Sequence, residues 1–182
     1  MNPTYVQTVN LLLDIAPTVF QTPRFAMKGG TALNLFVQNL PRLSVDIDVV
    51  FINHLADRDT ALQEISQEIQ RIEVAIAEMG YETRTRKVHG GDEVKLDIFS
   101  TEAEVKVEVN FVFRGTVLPV QTRSLSAKTQ ELFSKNIQAP VLSPSELYGS
   151  KLVAAMDRQH PRDLFDVLKM YESHGLTQEI LD

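Results

Sequence analysis

The order of hydrophobic patterns along the chain predicts an α+β fold, a mixed or antiparallel sheet flanked by helices. Three observations carry this. A strong helical periodicity covers residues 57–79, and a second helical region opens after residue 142. Between them, strands at roughly 81–88, 93–99 and 104–113 follow one another with no helix in between. Ahead of residue 57 the elements read helix, strand, helix, strand, which is not the repeating βαβ order of a doubly wound sheet.

Each element has a local cause. Asn2 can cap a first helix with Pro3 at its first position, and Val6, Val9, Leu12 and Leu13 supply its apolar stripe. Pro17 and Pro23 are expected to interrupt the chain after that stripe. Phe25 to Met27 reads as a short strand running into Lys28-Gly29-Gly30, and Thr31 to Val37 as a short helix that Pro41 breaks. Val45 to Ile52 is the next strand. In 57–79, Leu62, Ile65, Ile69, Ile72 and Ile76 recur at helical spacing and Gly80 supplies the stop. His89-Gly90-Gly91-Asp92 suits a hairpin turn, and in 104–112 the residues Val105, Val107, Val109 and Phe111 alternate onto one face. Residues 114–142 are mixed and predict no definite element. Ser143-Pro144-Ser145-Glu146 is a capping box that opens a helix to about Arg158. Pro161 starts another, ended by Gly175, with Leu164, Val167, Leu168 and Tyr171 as its expected buried stripe and Asp163 and Asp166 facing away. The chain reads as one globular unit, a core over 1–142 with a helical region over 143–182 packed on it, whose last element is expected to be short or missing.

Composition narrows the function. A chain of 182 residues suits one domain with a sizeable core. With no cysteine there is no disulfide framework, thiolate nucleophile or zinc–cysteine site. The N-terminus has no basic segment and no long apolar run, so no signal peptide is expected; no stretch approaches the ~20 apolar residues of a membrane span. A cytoplasmic protein is expected. A net charge of −6 argues against broad, sequence-blind nucleic-acid binding, while leaving room for a local basic groove.

The chemistry concentrates in RLSVDIDVVF. On a strand Asp46 and Asp48 project from one side, about 6.5–7 Å apart, while Val45, Ile47, Val49 and Phe51 turn to the other. Two carboxylates side by side repel unless a cation relieves them, and hard oxygen ligands suit Mg²⁺, or Mn²⁺ in its place, completed by water and phosphates. The paired glycines upstream can bring backbone N–H groups to an anion at a helix start. On 104–112, Lys106, Glu108 and Asn110 occupy the polar face. If that strand pairs beside the D-x-D strand, Glu108 becomes a third carboxylate, and three acids on adjacent strands suit two-metal phosphoryl transfer. Asp97 is a rival for that place. The competing reading makes all of these a solvated sheet face. Lys151 shares one helix face with Leu147, Ala154 and Arg158, so it borders the expected pocket or is a surface lysine. Asp163 is either catalytic or a cap and salt-bridge partner in its helix's first turn. Arg42 and Ser44 are further candidates for phosphate contacts. The dispersed histidines lack metal-ligand spacing, and no nucleophile elbow is present.

Taken in order, KGGTALNLF, RLSVDIDVVF, KVEVNF and SELYGSKLVAAMDRQHPRDLFDVLKMYE resemble the AbiEii/AbiGii-type toxins, a branch of the DNA polymerase β-like nucleotidyltransferase superfamily found in type IV toxin–antitoxin pairs. The resemblance covers about residues 23–175. It implies that Gly29, Gly30 and Thr31 form the turn that holds the nucleotide phosphates, with Thr31 where the superfamily often has serine. It implies that Asp46, Asp48 and Glu108 bind metal, that Lys151 grips the triphosphate, and that Arg162, Asp163 and Asp166 form a late R-D-x-x-D motif. Transfer of NMP from an NTP to an RNA acceptor such as a tRNA 3′ end would follow, with a cognate antitoxin as protein partner and no membrane. The rival readings are a nucleotidyltransferase acting on a small molecule or a protein side chain, and an inactive nucleotide- or antitoxin-binding module.

Overall fold

Strand alternation and register organise the computed structural model, which describes residues 3–87, 93–110 and 115–181, with only the backbone at 87, 93 and 110. Helix α1 (Pro3–Val19) leads to β1 (Phe25–Lys28), a short turn of helix α2 (Gly29–Thr31) that continues as a π-helical run (Ala32–Val37), β2 (Ile47–Phe51) and the long α3 (Arg58–Glu78). Strands β3 (Glu82–Lys87), β4 (Glu93–Phe99), β5 (Glu104–Asn110) and β6 (Gln121–Ser124) come next, then α4 (Ala127–Phe133), β7 (Gln138–Val141), α5 (Pro144–Arg158), α6 (Pro161–His174) and α7 (Gln178–Leu181). Among the described residues these strands form one mixed sheet in the order β3-β4-β5-β2-β1-β7-β6. The pairs β2–β5 and β1–β7 run parallel and the others antiparallel. The α+β expectation holds.

Period-two alternation puts Ile47, Val49, Leu96, Val107 and Val109 on one face, all buried. Helix α1 packs on β5 and on α3, which in turn packs on β3. The inward residues of the two helices, among them Leu12, Ile15, Ile65, Ile72 and Ile76, close this core. Asp57 caps α3 by accepting from the Thr60 N–H at 2.8 Å. Gly80, at φ 90°, ends the helix in a conformation that a side chain disfavours. Among the described residues no helix is long and apolar enough to cross a membrane.

Several expectations are corrected. Pro17 lies inside α1 rather than ending it. It forfeits one helical hydrogen bond near the helix end, and burial of Leu13, Ile15, Ala16 and Val19 on either side holds the last turn in place. Residues 114–142, which carried no assignment, supply β6, α4 and β7. Strand β6 is Gln-Thr-Arg-Ser at the sheet edge, so no apolar alternation announces it. The largest correction concerns α6. Leu164 and Tyr171 are 52% and 63% exposed and Leu168 is exposed as well, while Asp163, Asp166 and Met170 face inward. Buried charge partners decide which face of this helix turns in, against its hydrophobic pattern. The Asn2 cap, the 89–92 turn and Phe111 lie outside the described residues.

Candidate active site

The site begins with a register. In the parallel pair β2–β5, Asp48 stands directly opposite Glu108, and residues paired across neighbouring strands share a face. On the other flank, Lys28 of β1 stands opposite Asp48. Asp46, one residue ahead of β2, has the same parity as Asp48. Lys95 of β4 stands opposite Glu108, and its Nζ lies 2.8 Å from Glu108 Oε1. The rival acid, Asp97, is two residues further along β4. It is buried and bound by the Arg86 guanidinium, with Nη2 at 2.6 Å from Oδ1, so its charge is already matched.

The glycines earn their place by contact. Gly29 has φ 75°, and a Cβ there would sit 2.2 Å from Asp48 Oδ2. The Asp48 carboxylate therefore lies directly against the start of the helical run. A Cβ on Gly30 would meet Arg42 Nη2 at 2.8 Å and Ser44 Oγ at 3.0 Å, which brings both of these residues to the turn. Thr31 is fully buried and its hydroxyl donates to the Asp46 carbonyl, so its side chain holds the chain ahead of β2. We expect Gly29→Ala to lower transfer by about two orders of magnitude, because displacing a reacting group by ~1 Å has effects of that size. Steady-state rates, with circular dichroism to confirm the fold, would check this; wild-type rates would detach Gly29 from the site.

Behind the turn lies a charge network. Helix α5 projects Lys151 inward, only 8% exposed, with Nζ 2.8 Å from Asp163 Oδ1 and 3.3 Å from Asp166 Oδ2. Arg42 grips Asp166 with two bonds, Nε to Oδ1 at 2.7 Å and Nη2 to Oδ2 at 2.6 Å. Asn34, buried in the π-helical run, donates to the Gly30 carbonyl at 2.7 Å and reaches Asp166 Oδ1 at 3.4 Å. Arg158 Nη2 lies 3.0 Å from Asp163 Oδ2. Lys151 is thus no surface lysine, and Asp163 is an ion-pair partner. Arg162, beside it, is exposed. Replacing Lys151 by alanine leaves two buried carboxylates short of a cation, so we expect a loss of roughly 2–4 kcal/mol in chemical denaturation. A change below about 0.5 kcal/mol would match an exposed lysine instead.

Electrostatics separate the two carboxylate groups. Burial, reinforced by Glu108 and Asp46, pushes the Asp48 carboxyl up to about 6, against the pull of Lys28 and Lys151. Asp46 is raised for the same reasons, burial first and then Glu108, with Lys106, Arg162 and Lys95 easing it. Asp163 behaves oppositely. Burial would raise it, but the hydrogen bond and charge of Lys151, with Arg158 and His160, hold it below the usual carboxylate range.

These features fit a divalent cation at the strand pair. Asp46, Asp48 and Glu108 are hard oxygen donors, and the first two are held at unfavourable charge by burial and then by Glu108, a strain that a cation relieves. Among the described residues no three acidic or histidine side chains converge tightly enough to hold a metal as they stand, and Glu108 leans on Lys95. Sequence reasoning missed Lys28, Asn34 and Lys95. Lys28 adjoins the glycines and Asn34 interrupts the apolar run ALNLF, so both left a trace; Lys95 needed the strand register.

The chain is similar in structure to MenT4, a nucleotidyltransferase toxin from Mycobacterium tuberculosis H37Rv, with a TM-score of 0.58 and 23% identity. The match covers 90% of this chain and 59% of that one, so the chain spans somewhat over half the length of this relative. At that identity the likeness speaks for the fold, which it bears out. No curated protein sequence matches. The sequence model described as "Nucleotidyl transferase AbiEii toxin, Type IV TA system" matches residues 10–182, nearly the whole chain. The chain belongs to the AbiEii family of nucleotidyltransferase toxins.

Proposed function

We propose that the chain transfers a nucleotidyl group from an NTP to the hydroxyl of an RNA acceptor, a tRNA 3′ end being the favoured one, and releases pyrophosphate. The observation that carries this reading is the register of Asp48 opposite Glu108, with Gly29 against the Asp48 carboxylate. Asp46, Asp48 and Glu108 would hold Mg²⁺ or Mn²⁺, which when bound supplies charge neutralisation to the phosphates and lowers the pKa of a coordinated oxygen. The rest falls to the chain. The turn at Gly29-Gly30-Thr31 presents backbone N–H groups to phosphate oxygens, and Arg42, Ser44 and Lys151 add donors and positive charge behind it. Asp163 and Asp166 keep Lys151 and Arg42 in fixed positions, and transfer of this kind depends chiefly on positioning and charge neutralisation. The helices from Ser143 onward serve as a wall of the same unit, and the NTP requirement favours the cytoplasm. Membership of a type IV toxin family supports an antitoxin as protein partner and arrested translation as the outcome.

The test is incubation of each labelled NTP with total RNA, with Asp48→Asn as control. We expect label from one or a few nucleotides in a discrete RNA band and none with the mutant. Label moving only to protein or to a small molecule would replace the RNA acceptor. Label appearing nowhere, with Mg²⁺ and Mn²⁺ both supplied, would leave a binding module.

A further inference from the structure

A row of charges crosses the sheet at the site. Register places Lys28 opposite Asp48, Asp48 opposite Glu108 and Glu108 opposite Lys95, so a cation, two carboxylates and a cation lie abreast on one face of β1, β2, β5 and β4. The two acids repel one another, and the strands cannot separate them. Glu108 resolves the conflict sideways. Its carboxylate takes the Lys95 ammonium at 2.8 Å, in a pair about one quarter exposed on each side. Lys106, on the same face of β5, serves Glu104 instead at 3.5 Å.

We infer that Lys95 is the resident counter-ion of Glu108, a positioning residue that keeps this carboxylate turned from Asp48 until a divalent cation displaces it. The inference rests on the proposed reading of Asp48 and Glu108 as metal ligands. An ion shared by Glu108 and Asp48 competes with Lys95 for the Glu108 carboxylate, so Lys95 weakens binding of a bare cation. Arrival of the cation with a nucleotide, whose phosphates add ligands, offsets that loss. Lys95 thereby ties assembly of the three-acid site to the presence of substrate.

The experiment titrates Mn²⁺ alone, read by electron paramagnetic resonance, into wild type, Lys95→Met, Lys95→Gln, Lys106→Met and the double variant Lys95→Met/Glu108→Gln. Both Lys95 variants should bind Mn²⁺ roughly three- to ten-fold more tightly, the range set by a partly exposed ion pair. Lys106→Met removes the same charge from the same face without touching Glu108, and should gain less than half as much. The double variant should lose the gain. Unchanged or weaker binding in the Lys95 variants overturns the inference, as does an equal gain in Lys106→Met, which would assign the effect to net charge. In either case Mn²⁺ binding by wild type leaves the functional reading standing. Failure of wild type and every variant to bind Mn²⁺ overturns the inference and the metal site together.

Discussion

Asp48→Asn is expected to abolish nucleotidyl transfer while raising the melting temperature of the metal-free protein at pH 7.5. The sign comes from linkage. Burial first, then Glu108, lifts the Asp48 carboxyl from 3.8 to about 6 in the folded chain. The folded state therefore binds its proton more tightly than the unfolded one. That contribution is fully present below pH 4 and is lost as pH rises through about 6. Above that pH the ionised carboxylate costs on the order of 3 kcal/mol, which asparagine, nearly the same shape, does not incur. A gain of about 2–3 kcal/mol corresponds to a rise of roughly 5–10 °C in a domain of this size. The difference between mutant and wild type should shrink as pH is lowered from 7 to 4. Magnesium with a non-hydrolysable NTP should stabilise wild type and leave the mutant nearly unmoved. Scanning calorimetry in EDTA across that pH range checks the first part, and the same scan with ligand checks the second. A mutant that melted below wild type at pH 7.5 would show that Asp48 is already compensated in the free protein. A mutant with full activity would dissolve the site.

Asp166→Ala should produce the largest loss of stability. One fully buried carboxylate receives Arg42 at 2.6 and 2.7 Å, Lys151 at 3.3 Å and Asn34 at 3.4 Å, joining α6 to α5, to the π-helical run and to the segment before β2. Its removal strands Arg42, which has no other carboxylate among the described residues, and leaves Lys151 with Asp163 alone. We expect a cost of about 3–5 kcal/mol in urea titration. In whatever fraction remains folded, KM for the NTP should rise, since Arg42 is then free to leave Gly30. Asp166→Asn keeps the shape and loses the charge, so it should fall between the two. A loss under ~1 kcal/mol for Asp166→Ala would mean that the cations find water instead, and that the network has no part in placing Arg42.

Much of this protein was legible in its residue order, for local reasons. Helix α3 arises from apolar recurrence between the Asp57 cap and Gly80; α5 from the Ser143 half of its capping box, where Ser143 Oγ accepts the Glu146 N–H at 3.2 Å while the Glu146 carboxylate accepts from the Val117 and Leu118 N–H groups. The carboxylates were legible too, because period-two alternation in V-D-I-D-V and V-K-V-E-V puts the acids and the flanking aliphatic residues on opposite faces. The family motifs added the glycines and Lys151. Pairing between strands and the choice of a buried partner lie beyond any local pattern. That Glu108 meets Asp48 on one side and Lys95 on the other is a matter of register between strands distant in sequence. The apolar residues of α6 predicted one inward face and the structure has another, because Lys151 and Arg42 come from elsewhere in the chain and bring Asp163 and Asp166 in with them. A hydrophobic stripe weighs a few kcal/mol of burial, and an ion pair left unmatched in the interior costs as much or more. The residue order therefore settled which groups are available for the chemistry; the packed fold settled which of them stand together and which counter-charges hold them.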